Sequence, residues 1–223
     1  YKRADFLGQL MENKTGIAIA GTHGKTTTTA MTAWVLGALG RAPSFIVGGV
    51  MNNLGGNARA GRGNLFVIEA DEYDYMFLGL KPQIAVVTSL EHDHPDLFPT
   101  FETMHVAFER FVDLLPADGT LIVCAEDPGA ASLIPHARKA GINVVAYGFH
   151  DEETINSPFW VRAGEVKPNT RGGFDFLATS NLGSGGGAVP VSLQVPGEYN
   201  VRNALAVLAI VELLGLPRDE AAA

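Results

Sequence analysis

The chain has 223 residues, of which 47% are hydrophobic, and its formal net charge at pH 7 is −8. An acidic chain is not expected to bind nucleic acid, because proteins that bind a phosphodiester backbone usually present a basic face. The sequence contains neither a long uninterrupted apolar segment nor a signal-peptide pattern, so we expect a cytoplasmic protein with no membrane association. The single cysteine, Cys124, excludes an internal disulfide and is expected to be a small core residue.

Short apolar runs alternate with helical patterns between residues 16 and 148. Strands are predicted at 16–21, 44–49, 65–70, 83–89, 120–124 and 143–148, and helices at about 25–39, 101–115 and 128–140. Runs that are apolar on both faces need helices on both sides of the sheet. The pattern therefore predicts an α/β fold with a mainly parallel sheet flanked by helices.

The pattern changes at about residues 151–195, where three β-rich runs are separated by Pro, Asn and Gly and show no helical period. This segment is predicted to form a small antiparallel β region attached to the parallel sheet. A helix is then predicted at 200–214, with Asn200 as a candidate N-cap and Gly215 as its end.

The segment IAGTHGKTTTT at residues 19–29 has the features of a phosphate-binding loop of the P-loop type. An apolar strand leads into a glycine turn, and the N-terminus of the following helix adds amide donors and a favourable dipole. Lys25 would neutralise charge near the terminal phosphates, and Thr26 would offer a hydroxyl to Mg²⁺. Ile19 stands where the standard pattern has its first glycine, so this loop is a shortened variant with Gly21 and Gly24.

Acidic residues follow the strand at 65–70, in the segment EADEYD. Ligands of open parallel sheets collect at the carboxyl ends of the strands, and Glu69 lies at such an end. A carboxylate in this position is the leading candidate for a Mg²⁺ ligand. The alternative, a solvated acidic turn, would place several carboxylates together without a compensating cation.

Two histidines, His92 and His94, follow the strand at 83–89. In an extended segment they would face the same way, as a transition-metal site requires, but the chain has no second Cys/His group at zinc-site spacing. Mg²⁺ prefers oxygen ligands. The residues alone leave His94 open between a metal ligand, a phosphate contact and a hydrogen-bonded histidine at a strand end.

Four segments together closely resemble the central ATP-binding domain of the Mur ligases of peptidoglycan synthesis: GTHGKTTTTAM at 21–31, IEADEYD at 68–74, Asp93-His94 and PGEYNVRNALAVLA at 196–209. With GGNAR at 55–59, they are most similar to the branch that joins L-alanine to UDP-N-acetylmuramate. The resemblance implies that residues 1–223 form one central domain. The N-terminal UDP-sugar domain and the C-terminal domain would then lie outside this chain.

The resemblance also implies roles for individual residues. Lys25 would contact the β and γ phosphates of ATP, Thr26 and Glu69 would hold one Mg²⁺, and His94 with Glu69 would hold a second cation. Further nucleotide contacts would come from the loop and from two asparagines, namely Gly21, Thr22, His23, Gly24, Thr27, Asn200 and Asn203. Weaker candidates for substrate contacts are Asn57, Arg59 and Glu72.

The implied reaction is ATP-driven amide formation through an acyl phosphate. Tyr199 replaces a histidine that the family often has before the first asparagine, which leaves that adenine contact open. No lysine lies between Lys81 and Lys139, where several Mur ligases have a carbamylated lysine, and this disfavours the later-acting branches. The alternatives are a murein-recycling ligase that attaches a tripeptide to UDP-N-acetylmuramate, a folylpolyglutamate synthetase and a non-catalytic nucleotide-binding module.

Overall fold

The structure is a computed structural model that describes residues 3–149, 157–183 and 187–223. Its helices are α1 (Arg3–Leu10), α2 (Lys25–Ala38), α3 (Phe101–Val112), α4 (Pro128–Ala131), α5 (Ile134–Lys139), α6 (Glu198–Leu213) and α7 (Arg218–Ala222). Its strands are β1 (Thr15–Ala20), β2 (Ser44–Met51), β3 (Gly56–Arg59), β4 (Leu65–Glu69), β5 (Ile84–Val87), β6 (Thr120–Cys124), β7 (Asn143–Gly148), β8 (Phe159–Pro168), β9 (Phe174–Ser180) and β10 (Val189–Ser192). Short 3₁₀ segments lie at Asn52–Leu54 and Tyr73–Gly79.

The strands form one sheet in the order β10-β9-β8-β7-β6-β5-β1-β4-β2-β3. The strands from β8 to β2 pair in parallel, whereas β3, β9 and β10 add antiparallel edges. The predicted α/β fold with a mainly parallel sheet is confirmed, and so is the small antiparallel region. Of the predicted range 151–195, residues 151–156 and 184–186 lie outside the described residues.

Hydrophobic clusters cover both faces of the sheet. In β1, Ile17 and Ile19 pack on one face with residues of α2 and α6, whereas Ala18 and Ala20 pack on the other face with residues of α3 and α5. This arrangement is why the central strands are apolar at every position rather than at alternate ones. None of the described helices combines the length and apolar character needed to cross a bilayer.

Three local features differ from the predictions. The predicted helix at 128–140 is divided into α4 and α5, because Pro135 has no amide hydrogen with which to bond the preceding turn. Helix α6 begins at Glu198 with Gly197, at φ 91°, as its N-cap, so the prediction that Asn200 caps this helix is wrong. The edge strand β3 was not predicted, because its sequence is short and polar.

Candidate functional site

The loop between β1 and α2 is built on two glycines with left-handed backbone angles. Gly21 has φ 131° and Gly24 has φ 82°, a region that residues with a Cβ rarely adopt. A Cβ on Gly24 would lie 2.8 Å from Asn203 Oδ1, and one on Gly21 would lie 2.9 Å from Ser89 N. The loop therefore needs glycine at both positions, both for its turn and for its close approach to β5 and α6.

The side chains of Thr88 and Ser89, which follow β5, form hydrogen bonds with the loop. The Thr88 hydroxyl lies 2.5 Å from the carbonyl oxygen of His23, and the amide of His23 donates to Ser89 Oγ at 2.9 Å. The Thr22 and Ser89 hydroxyls are 3.0 Å apart. These contacts fix the loop backbone in front of the positive end of α2, which is the arrangement that binds phosphate groups.

Two threonines of α2 direct their hydroxyls to carbonyl oxygens of the preceding turn. Thr29 Oγ1 donates to the Lys25 carbonyl and Thr32 Oγ1 to the Thr28 carbonyl, each at 2.7 Å. Thr26 is different, because its hydroxyl donates to Glu69 Oε1 at 2.9 Å. Its oxygen is thus available at the loop and not bonded to the preceding turn.

Glu69 and Thr26 meet at the carboxyl edge of the sheet. Residue Ile19 of β1 pairs with Glu69 in β4, which places the carboxylate beside the phosphate loop. Its second oxygen accepts from the amide of Gly48 at 2.5 Å. The structure therefore brings together the two side chains predicted to hold one Mg²⁺.

Lys25 contacts the carboxylate of Glu72, one of the candidates for a substrate contact. Its Nζ lies 2.5 Å from the Gly21 carbonyl oxygen and 2.8 Å from Glu72 Oε1. Glu72 is completely buried, whereas Lys25 keeps 15% of its side chain exposed. A direct contact of Glu72 with substrate stays a prediction. In the structure the Glu72 carboxylate is buried and contacts the more exposed Lys25.

His94 lies on the same edge and faces acidic groups. Its Nε2 is 3.8 Å from Glu72 Oε1 and 3.7 Å from Asp93 Oδ2. Within the described ranges, these three residues are the one group of His, Cys, Asp and Glu side chains close enough together to hold a metal ion. Glu69 is outside that group, so a cation shared by Glu69 and His94 stays a prediction.

The two histidines do not form one site. His92 Nε2 lies 2.7 Å from the Phe98 carbonyl oxygen, so this ring is engaged away from His94. The expectation that both rings face the same way assumed an extended segment and is wrong, because His94 has φ 51°. A zinc site shared by His92 and His94 required both rings to face the same way, and the structure does not show this arrangement.

Beside the loop lies a cleft with a volume of about 240 Å³, lined in part by Gly24, Tyr199, Arg202 and Asn203. Asn203 Nδ2 donates to Asn200 Oδ1 at 3.0 Å, and Asn200 Nδ2 donates to the Pro196 carbonyl at 2.7 Å. The side-chain amides of Asn203 and Asn200 are thus held beside the cleft by a chain of hydrogen bonds.

The Mur ligase middle domain model matches residues 19–211 of the chain. The chain belongs to the Mur ligase family. The resemblance of the four motifs is therefore confirmed at the level of the family.

This Mur ligase domain is 42% identical to the UDP-N-acetylmuramate–L-alanine ligases of Renibacterium salmoninarum and Methylibium petroleiphilum, over 98% and 96% of the chain. The chain spans 44% of the length of each of these relatives. Among solved structures, it is similar to the UDP-N-acetylmuramate–alanine ligase MurC of Thermotoga maritima, with a TM-score of 0.76 and 28% identity over 98% of this chain and 45% of that one. It is also similar to the UDP-N-acetylmuramate:L-alanyl-γ-D-glutamyl-meso-diaminopimelate ligase of Neisseria meningitides, with a TM-score of 0.80 and 28% identity over 98% of this chain and 68% of that one.

Sequence reasoning missed one ion pair in the cleft of this Mur ligase domain. Arg202 Nε lies 2.5 Å from Glu126 Oε2, and the guanidinium lies 4.5 Å from the centre of the Phe149 ring. Glu126 follows β6, so the rule that pointed to Glu69, a carboxylate after a parallel strand, would also have found it. Cys124, at the end of β6, is buried, and burial raises the pKa of its thiol, which confirms it as a core residue.

Two predicted substrate contacts lie on the edge strand β3. Arg59 pairs with Phe45 of β2, and Phe45 pairs with Val67 of β4. Val67 precedes Glu69 by two residues, so Arg59 lies two positions away from the carboxyl edge of the sheet. Its guanidinium lies 5.0 Å from the centre of the Phe45 ring. Asn57 is exposed on the same strand, and the role of both residues stays a prediction.

Proposed function

We propose that the protein containing this chain joins L-alanine to UDP-N-acetylmuramate, using ATP to activate the muramoyl carboxylate as an acyl phosphate. The observation that carries the proposal is the 42% identity, over 98% of the chain, to a ligase with that name. The arrangement of Lys25, Thr26 and Glu69 around one loop supports ATP as the phosphoryl donor. The cytoplasm, where ATP is available, is the expected location.

The residues at the loop fit Mg²⁺ by their chemistry. The Thr26 hydroxyl and the Glu69 carboxylate offer only oxygen atoms, which Mg²⁺ prefers, and they already lie 2.9 Å apart. When bound there, the cation would offset the charge of the triphosphate. A second cation near His94 is part of the same proposal, with Asp93 as a neighbouring carboxylate.

The residues of this chain would act mainly by positioning, since phosphoryl transfer needs little covalent help from the protein. The loop amides and the N-terminus of α2 would bind the phosphates, and Lys25 would stabilise the charge on the transferred group. Asn200 and Asn203 would hold the adenine at the cleft beside Gly24. Residues 1–223 would be the central domain, and flanking domains of the same polypeptide would bind the sugar nucleotide and complete the ATP site.

The second candidate is the ligase that attaches a recycled tripeptide to UDP-N-acetylmuramate. Its supporting observation is the TM-score of 0.80 to the Neisseria meningitides enzyme, although the identity is only 28%. The two ligases differ in the amine that attacks the acyl phosphate. A non-catalytic module is disfavoured, because both candidate metal ligands, Glu69 and His94, are present at the carboxyl edge of the sheet.

Phosphate release by the full-length protein tests the proposal. ATP and Mg²⁺ are supplied with or without UDP-N-acetylmuramate, and the amine is L-alanine, glycine, L-serine or the tripeptide. We expect release only with the sugar nucleotide present, and fastest release with L-alanine. Preference for the tripeptide would establish the second candidate, and equal release without the sugar nucleotide would exclude both ligases. Residues 1–223 alone are expected to fold without ligating.

A further inference from the structure

Glu72 is the one charged residue that is completely buried in the part of the chain that the structure describes. Removing a carboxylate from water costs several kcal/mol unless it is paired, so its position needs an explanation. The carboxylate lies behind the phosphate loop, 2.8 Å from Lys25 Nζ. Its Oε2 has no hydrogen-bond partner among the described residues.

The backbone that follows Glu72 contains a strained turn. Asp74 and Tyr75 have φ values of 52° and 54°, which non-glycine residues adopt rarely and at a cost of about 1–3 kcal/mol each. The turn is closed by the amide of Phe77, which donates to the Asp71 carbonyl at 2.9 Å. Phe77 is completely buried, so core packing maintains the strained turn.

Contacts with described residues occupy two of the three donors of Lys25. An ammonium group has three N–H bonds. One reaches the Gly21 carbonyl at 2.5 Å and a second reaches Glu72 Oε1 at 2.8 Å. A lysine held at two points loses most of its rotamer freedom, and its third N–H remains for a phosphate oxygen.

The same carboxylate also faces His94, whose Nε2 is 3.8 Å from Glu72 Oε1. The imidazole is further enclosed by the ring of Tyr73, at a centroid distance of 5.1 Å and an interplanar angle of 69°. Glu72 therefore lies between two groups that the proposed function places at the transferred phosphoryl group.

We propose that Glu72 is a positioning residue that holds the Lys25 ammonium, and secondarily the His94 imidazole, in the geometry needed for phosphoryl transfer. This inference rests on the proposed function. In this role Glu72 acts through Lys25 and His94, and its negative charge would weaken the attraction of Lys25 for phosphate. Its contribution is orientation, which affects the reaction step more than nucleotide binding.

The test uses the full-length protein with Glu72→Gln, which removes the charge at constant size, and Glu72→Asp, which keeps the charge but shortens its reach. Glu12→Gln is the matched control, because Glu12 also contacts a lysine, Lys81, at 2.5 Å, but in an exposed pair. We expect Glu72→Gln to lower kcat about 10- to 100-fold, with the Kd for ATP, measured by calorimetry, changed less than about threefold. Glu72→Asp is expected to lie between Glu72→Gln and the parent, and the control is expected to match the parent.

A second readout does not depend on ligation. The acylation rate of the Lys25 amine, measured by mass spectrometry, is expected to rise in both Glu72 variants and to stay unchanged in Glu12→Gln. If Glu72→Gln does not fold, the acylation rate of Lys25 in Glu72→Asp alone tests the positioning role. An unchanged Lys25 rate, a parent-like kcat, or an equal loss of kcat and ATP affinity would overturn the positioning role. Failure of the parent protein to ligate would refute the proposed function but leave the acylation comparison valid.

Discussion

Gly48 offers a way to move the Glu69 carboxylate without touching Glu69 itself. A Cβ at position 48 would lie 2.7 Å from both carboxylate oxygens of Glu69. Ordinary van der Waals contact needs about 3.5 Å, so Gly48→Ala should displace the carboxylate by roughly 0.5–1 Å. The displaced group is the far end of a flexible side chain, and the backbone of Gly48 is outside the left-handed region. We therefore expect the fold to tolerate the change.

The magnitude follows from the contacts that Glu69 would lose. The carboxylate accepts from Gly48 N at 2.5 Å and from Thr26 Oγ1 at 2.9 Å. A hydrogen bond to a charged group contributes about 1.5–3 kcal/mol. We expect the free Mg²⁺ concentration for half-maximal turnover to rise about 10- to 100-fold, because about 1.4 kcal/mol corresponds to a factor of ten.

The assay is phosphate release by the full-length protein at saturating ATP, with free Mg²⁺ varied. Gly164→Ala is the matched control, since Gly164 is also in a strand, and its Cβ would meet no atom within 4 Å. Urea unfolding should show that Gly48→Ala stays folded and loses no more than about 3 kcal/mol, because the hydrogen bond from Gly48 N to Glu69 is weakened while alanine restricts the unfolded chain. An unchanged Mg²⁺ dependence would refute the reasoning that Glu69 is held in place for a cation.

Other predictions concern the lysine, the core and the cysteine. Lys25→Ala should lower turnover at least about 100-fold and lower the free energy of unfolding by about 3–5 kcal/mol, because buried Glu72 loses its ammonium partner. Combining it with Glu72→Gln should restore stability but not turnover; near-normal turnover of either variant would contradict the assignment. Phe77→Ala, which removes a buried ring stacked 5.0 Å from Phe111, should cost about 3–5 kcal/mol in urea unfolding, and a loss below about 1 kcal/mol would contradict the anchoring role. Cys124 should react slowly with a disulfide reagent at pH 8, because burial raises the pKa of its thiol and lowers its thiolate fraction; a rate like that of free cysteine would contradict this.

Much of the fold could be predicted from local patterns. Strands such as β6 and β7 are apolar at nearly every position, and this requires cover on both faces of a parallel sheet. The phosphate loop could be predicted because glycine, lysine and threonine occur at fixed spacing between a strand and a helix. The start of α6 could not, since Gly197 competes with Asn200 as the cap and tertiary packing decides between them.

The sequence alone determined the type of sheet, the glycine-rich loop between β1 and α2, and the acidic and histidine segments that follow the neighbouring strands. Only the tertiary structure decided which acid serves which partner: Glu69 meets Thr26, and Glu72 is buried against Lys25. The physical reason is that sequence spacing fixes the edge on which a side chain emerges. The direction of the Glu72 side chain depends also on the strained turn that ends at Phe77. That turn is stabilised by the packing of Phe77 against Phe108 of α3.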